Sequence, residues 1–99
     1  MPRPFETKAA AERMLPSHKV KPMLSYVFQG VRTGGFLRAV LVNDLRGAFE
    51  RADSINVRYM YAYVDFLYNW APAECWGSEE AYEEWITSGG QEGRMSNVR

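Results

Sequence analysis

The longest stretch in which apolar residues follow helical spacing runs from Ala52 to Trp70. Met60, Val64 and Leu67 recur at i, i+4 and i+7, which puts them on one face of a helix. A second, aromatic stripe lies beside the first and contains Tyr59, Tyr63, Phe66 and Trp70. Together the stripes cover more than half of the circumference, so we expect one long central helix that other helices cover.

Shorter helices are predicted by their start and stop signals. A helix beginning near Lys21 ends at Gly30, because glycine accepts the left-handed conformation that often follows a helix. Residues 36–51 are expected to form two short helices or one that bends, with Asn43 or Asp44 available as N-cap. The last predicted helix, 79–87, has Ser78 as N-cap and ends at Gly89-Gly90.

No segment alternates apolar and polar residues with period two, and no internal repeat is present. The sequence therefore predicts an all-α fold, a compact bundle of about five short helices around a long central helix. Residues 1–99 are expected to form a single domain, since 99 residues leave no room for a second. Within it, residues 1–15 are a candidate mobile arm and residues 88–99 a predicted disordered tail.

The charge is balanced overall but not along the chain. Twelve Lys and Arg offset twelve Asp and Glu, yet residues 1–50 carry eight of the basic side chains and residues 51–99 carry eight of the acidic ones. Zero net charge is unusual for a general DNA-binding protein, which needs a basic face to displace counterions. The absence of an apolar leader and of a long apolar run predicts a cytoplasmic protein that does not cross a membrane.

Signatures of enzymes are scarce. His18 is the only histidine and Cys75 the only cysteine, so neither a zinc site nor an intramolecular disulfide is expected. We therefore predict no catalytic residue, no metal and no cofactor.

One stretch indicates anion binding. Arg32, Thr33, Gly34 and Gly35 precede a predicted helix, and paired glycines there let the backbone present several N–H groups to an anion. Arg38 follows one turn later, and Arg51 is a further candidate for neutralising phosphate. A tight turn without a ligand explains the same glycines, and both interpretations stay open.

Aromatic side chains provide further candidates for binding. Tyr59, Tyr63 and Trp76 are the ones we assign to a binding surface, because Tyr and Trp dominate protein interfaces and also stack on bases. The asparagines and aspartates at positions 43, 44, 53, 56 and 69 fit either helix caps or a polar site, since both use the same residue types.

Two segments, GGFLRAVLVNDLRGAFERAD at 34–53 and FLYNWAPAECWGS at 66–78, carry a resemblance. The chain is similar over roughly residues 24–86 to small uncharacterised proteins carried by tailed bacteriophages and prophages. The matching pieces are the Gly-Gly-Phe-Leu turn at 34–37, Asn43-Asp44-Leu45, Arg51-Ala52-Asp53, Asn56, Tyr68-Asn69, Pro72 and Trp76-Gly77-Ser78.

The resemblance implies a non-enzymatic phage or prophage protein that inhibits a bacterial host or immune-defence component by binding it in the host cytoplasm. An alternative is a nucleotide-binding sponge that sequesters a signalling nucleotide through the Thr-Gly-Gly stretch and the arginines. A third is a small DNA-binding regulator that uses its basic half. The partners predicted are accordingly a host or defence protein, a nucleotide, or further copies of the chain in a homo-oligomer.

Overall fold

The computed structural model describes residues 2–96, and this part of the chain contains eight α-helices, one short 3₁₀ helix and no strand. The helices are α1 (Pro4–Met14), α2 (Ser17–Gln29), α3 (Gly35–Leu41), α4 (Leu45–Arg51), α5 (Ser54–Arg58), α6 (Met60–Trp70), α7 (Glu79–Thr87) and α8 (Gly90–Ser96), and the 3₁₀ helix is Ala73–Cys75. The predicted all-α class is confirmed. None of these helices is long and apolar enough to span a bilayer.

The predicted long central helix is instead two helices, α5 and α6, separated by a turn at Tyr59. The Tyr59 N–H bonds to the carbonyl of Asn56, three residues back, which tightens the backbone and ends α5. The buried Asn56 side chain accepts a hydrogen bond of 2.7 Å from the Tyr63 hydroxyl. This contact fixes α5 against α6, so the apolar stripes continue across a bend that the spacing alone does not reveal.

Several helix ends follow the predicted signals. Gly30 ends α2 in the left-handed conformation with φ 68°. Asp44, Asp53 and Ser78 each accept a hydrogen bond from the backbone N–H three residues later, at 2.9, 2.7 and 3.0 Å. Each oxygen satisfies a donor that the first turn of a helix leaves free, which is why these short polar residues start α4, α5 and α7.

The Asn and Asp residues are thereby accounted for by local structure. Asp44 and Asp53 are N-caps, and the Asn56 side chain is hydrogen-bonded in the core. The Asn69 side chain donates a hydrogen bond of 2.6 Å to Asp65, one turn earlier. Asn43 occupies a left-handed turn with φ 68° between α3 and α4, a conformation that Asn accepts more readily than most residues.

Both ends of the described chain are helical. In place of a mobile arm, α1 packs on the core through the fully buried Ala10 and Ala11, and its Thr7 hydroxyl donates 2.7 Å to the Trp70 carbonyl. Helix α8 occupies most of the predicted disordered tail, and residues 97–99 of that tail lie outside the described residues. Helix α2 begins at Ser17, one turn before the predicted start, and includes Pro22 in its second turn.

Large aromatic residues form the centre of the core, with Tyr26, Tyr63, Phe66, Tyr82 and Trp85 at most 1% exposed. The polar atoms of Tyr26, Tyr82 and Trp85 are bonded to backbone, and the Tyr63 hydroxyl is bonded to the Asn56 side chain. The Trp85 indole nitrogen donates to the carbonyls of Tyr26 and Val27, at 3.0 and 3.1 Å, and therefore ties α7 to the end of α2. This contact holds the first residue of the Arg32–Gly35 stretch close to α7.

Candidate functional site

The buried Tyr82 of α7 contacts the loop between α2 and α3 from the core side. The Tyr82 hydroxyl lies 3.0 Å from the backbone nitrogen of Thr33, from which it accepts a hydrogen bond. It lies at the same distance from the Thr33 hydroxyl. Because a core side chain holds Thr33 by two contacts, the loop is fixed rather than left to solvent.

Two predicted arginines lie on the same aromatic ring. The guanidinium carbons of Arg32 and Arg38 lie 5.9 and 5.6 Å from the centroid of Tyr82, within the range of cation–π attraction. Since Arg32 comes from the loop and Arg38 from α3, the Tyr82 ring brings two positive charges together from two elements.

Each of these arginines also pairs with a carboxylate of α7. Arg32 binds Glu83 through two parallel hydrogen bonds of 2.9 Å, and Arg38 binds Glu79. The two glutamates stand one turn apart on the same face of α7, and each of them contacts one of the two arginines. Acidic residues of the second half thus neutralise basic residues of the first half.

The Arg32–Glu83 pair changes the proton affinity of both groups. The hydrogen bonds from Arg32 lower the pKa of the Glu83 carboxyl below its usual value, and the same bonds to Glu83 raise the pKa of Arg32. Both side chains are exposed, so solvent screens the pair and it can open when a competing anion arrives.

Arg51 reaches the same loop from the end of α4. A Cβ placed on Gly35 would lie 3.3 Å from Cδ and 3.5 Å from Nε of Arg51, so the arginine lies directly over this glycine. Its Nη1 donates 3.2 Å to the Gly47 carbonyl. Within the described residues Arg51 forms no ion pair, unlike Arg32 and Arg38, although the Asp44 carboxylate lies nearby, since both side chains contact the Cβ position of Gly47.

The backbone of the loop is open to solvent. Gly34 and Gly35 are exposed, and a Cβ on Gly34 would meet nothing within 4 Å. No side chain caps α3, so the first N–H groups of this helix have no side-chain acceptor. The structure therefore brings six of the predicted residues together, and these form what we call the Thr-Gly-Gly site: Arg32, Thr33, Gly34, Gly35, Arg38 and Arg51.

The chemistry available at the Thr-Gly-Gly site is recognition of an anion. Guanidinium groups form bidentate hydrogen bonds with carboxylate and phosphate oxygens, and a hydroxyl and free N–H groups can complete such a shell. Two of the three arginines are paired with Glu79 and Glu83, and the Asp44 carboxylate lies near the third. Breaking the two pairs would expose the positive charge of Arg32 and Arg38.

The other predicted binding residues lie elsewhere. Tyr63 is fully buried against Phe36 and Asn56, so it serves the core and offers no surface contact in this structure. Tyr59 is 36% exposed at the turn between α5 and α6. Trp76 follows the 3₁₀ helix and lines two surface hollows.

Sequence reasoning missed the role of α7 in this site. The sequence places Tyr82, Glu79 and Glu83 only in the last predicted helix, yet they hold the Thr-Gly-Gly site together. Their i, i+3 and i, i+4 spacing was visible, but their partners lie more than forty positions away. A hollow of about 370 Å³ between α1, α2 and α8, with Lys8, Lys21 and Phe28 in its wall, was likewise not predicted.

No group of three or more His, Cys, Asp or Glu that could hold a metal ion occurs among residues 2–96. Cys75 is fully buried, and burial raises the pKa of its thiol to about 12, far above what a nucleophilic thiolate requires. The Nε2 atom of His18 lies 3.9 Å from Oδ2 of Asp53.

Comparison of the chain with protein-family models, with curated proteins and with solved structures finds no match.

Proposed function

We propose that this chain is a non-enzymatic phage or prophage protein that inhibits bacterial immune defence by binding, and that what it binds is an anionic nucleotide. By sequestering a signalling nucleotide, such a protein would deprive a defence system of its activator. The observation that carries this proposal is the convergence of Arg32, Arg38 and Arg51 on one exposed Thr-Gly-Gly loop. Arg51 comes from a separate helix, so local turn formation does not explain its position over Gly35.

In this proposal Arg51 makes the first contact with phosphate, because it is the arginine of the three that forms no ion pair in the described chain. Arg32 and Arg38 then exchange their glutamates for phosphate oxygens. The Arg32–Glu83 pair already has the bidentate geometry that phosphate accepts, so a doubly contacted phosphate can replace Glu83 on Arg32 without a new arginine rotamer.

Thr33 and the glycines would supply the neutral donors. Tyr82 fixes Thr33 in place, and the open space over Gly34 allows a phosphate to approach the backbone closely. A phosphodiester or a nucleotide with more than one phosphate fits this site better than a neutral metabolite, because only an anion is attracted by the three guanidinium groups.

A second candidate is an inhibitor that binds a host or defence protein through exposed aromatics. It is supported by Tyr61 and Tyr68 of α6, which are 82% and 76% exposed. Large aromatic side chains that cover no core of their own are typical of interfaces. We do not propose the DNA-binding regulator, because the chain has no net positive charge with which to displace counterions from DNA.

Native mass spectrometry of the protein purified from a bacterial cytoplasm tests the proposal. We expect a retained mass of nucleotide size in the wild-type protein. The double variant Arg38→Ala, Arg51→Ala should lose it. Arg46→Ala is the control for Arg51, because it removes one positive charge from the same helix, but its side chain is 91% exposed and its ion pair within residues 2–96 is with Glu50.

Titration with a panel of nucleotides then measures the affinity of the same three proteins. A wild-type protein that retains and binds no nucleotide would contradict the proposal. A co-purifying host protein that survives the double substitution would favour the second candidate. Equal loss of binding in Arg46→Ala would mean that only long-range charge attracts the ligand.

A further inference from the structure

A continuous apolar surface runs over α4 and α6, away from the Thr-Gly-Gly loop. Tyr61, Val64 and Tyr68 stand at i, i+3 and i+7 on the outer face of α6, opposite the buried Tyr63 and Phe66. All three outer residues are exposed. Helix α6 therefore presents an apolar face on both sides, and only one of them is used by the core of the described chain.

The neighbouring helix α4 extends this surface. Leu45 and Phe49 stand at i and i+4 and are 66% and 50% exposed. Leu45 and Val64 line a hollow of about 140 Å³ together with Met60 and Trp76. We call the surface formed by Leu45, Phe49, Tyr61, Val64, Tyr68 and Trp76 the α4–α6 face.

A second hollow adjoins the first. It has a volume of about 210 Å³ and is lined by Tyr68, Ala73 and Trp76, so the Trp76 indole forms a wall of both. The α4–α6 face thus combines projecting aromatic side chains with concave apolar hollows. A cavity of about 150 Å³ is enough to take up a benzene ring, so an aromatic side chain is of suitable size for either hollow.

We propose that the α4–α6 face binds the same face of a second copy of this chain. A two-fold arrangement would bring the projecting tyrosines of one copy towards the hollows of the other, and such isologous dimers are the commonest protein oligomers. Because the α4–α6 face has both projecting tyrosines and apolar hollows, two copies of it can fit together about a two-fold axis.

The charges on this face permit self-pairing. Arg46 pairs with Glu50 along α4 at 3.4 Å, and Asp65 accepts a hydrogen bond from Asn69 on α6. The Arg46–Glu50 pair is neutral, whereas Asp65 keeps its charge, so a two-fold contact must place Asp65 at its rim, away from the same residue of the second copy. A nucleotide is disfavoured as the occupant, since no arginine or lysine lines either hollow.

The exposed area is also sufficient. The six residues expose on the order of 600–700 Å² per copy if a fully exposed aromatic residue presents about 200 Å². A standard interface buries about 800 Å² per partner, of which the polar rim supplies the remainder. The proposal does not depend on nucleotide binding, because it involves none of the residues of the Thr-Gly-Gly site.

Sedimentation velocity over the micromolar range tests the proposal. The wild-type protein should sediment as a multiple of its 11.4 kDa mass. Tyr68→Arg and, separately, Tyr61→Arg should each weaken self-association at least tenfold, because an arginine from each copy would enter an apolar contact. Both side chains are mostly exposed, so helicity by circular dichroism should be unchanged.

Phe5→Arg is the matched control, because Phe5 is an exposed aromatic residue on α1, outside this face. It should associate like the wild type. A wild-type protein that remains monomeric, or variants of α6 that associate normally, would overturn the proposal, and so would dissociation caused by Phe5→Arg. The nucleotide-site variant Arg38→Ala, Arg51→Ala should stay assembled, which separates failure of this proposal from failure of the proposed function.

Discussion

The side chain of Arg51 lies over the backbone of Gly35. An added Cβ on this glycine would stand 3.3 Å from Cδ of the arginine, closer than ordinary van der Waals contact. Glycine is therefore required at position 35 for the closeness of Arg51 and not for its own conformation, since it is an ordinary helical residue. A methyl group at position 35 would push the Arg51 side chain aside, so the position of the Arg51 charge depends on this glycine.

Gly35→Ala should accordingly weaken anion binding more than it affects folding. The methyl group displaces Arg51 by a few tenths of an ångström, and misplacing one charged hydrogen bond lowers affinity about tenfold. Gly34→Ala fills the open space over the loop but leaves Arg51 in place, because a Cβ there meets nothing within 4 Å. Nucleotide titration of both variants, with Arg46→Ala as the control outside the site, checks this expectation. Wild-type affinity in Gly35→Ala would remove Arg51 from the site.

Glu83→Gln should strengthen anion binding. The substitution leaves Arg32 without its carboxylate partner and keeps the size of the side chain, so a phosphate no longer competes with an internal anion. We expect a gain of about twofold to fivefold, because an exposed ion pair is weak. Glu84→Gln removes the same charge from α7 without touching an arginine and should change affinity less. A loss of affinity in Glu83→Gln would instead mean that the pair organises the site.

Tyr63→Phe should destabilise the fold by about 1–3 kcal/mol, because it leaves the buried Asn56 oxygen without the donor that now lies 2.7 Å away. Tyr68→Phe removes a hydroxyl of the same kind from the surface of the same helix and should change the free energy of unfolding by less than about 0.5 kcal/mol. Urea denaturation of both variants measures the difference. Similar values would show that the Asn56 contact contributes little.

Alkaline pH should destabilise the protein from about pH 9 upwards. Burial raises the pKa of Cys75 to about 12 from an ordinary value of 9.0, so above pH 9 the unfolded chain loses this proton while the folded chain keeps it. The stabilisation is complete below pH 9 and declines by up to about 1.4 kcal/mol per pH unit as the pH rises towards 12.

Cys75→Ala should show a flatter decline between pH 9 and pH 10, before the buried tyrosines contribute. Burial also raises the pKa of Tyr26 and Tyr63 above 10, so their effect begins at higher pH. Urea midpoints at a series of pH values measure both slopes. Parallel curves for the wild type and the variant would contradict the assignment to Cys75.

The sequence alone determined the helical class and most helix ends. Asp44, Asp53 and Ser78 cap helices by bonding an N–H three residues away, and Gly30 ends α2 by its own backbone conformation. Such interactions are local, so a short window of sequence contains both partners. The sequence also predicts that Arg32, the Thr-Gly-Gly stretch and Arg38 lie close together, because they are near neighbours along the chain.

Only the tertiary structure decided the rest. Arg51 meets Gly35 across sixteen positions, and Tyr82 meets Thr33 across forty-nine, so no spacing along the chain indicates either contact. The turn at Tyr59 divides the predicted central helix, although the apolar pattern continues through it. Periodicity records which face of a helix is apolar, but packing decides whether the core, a ligand or a second copy covers that face.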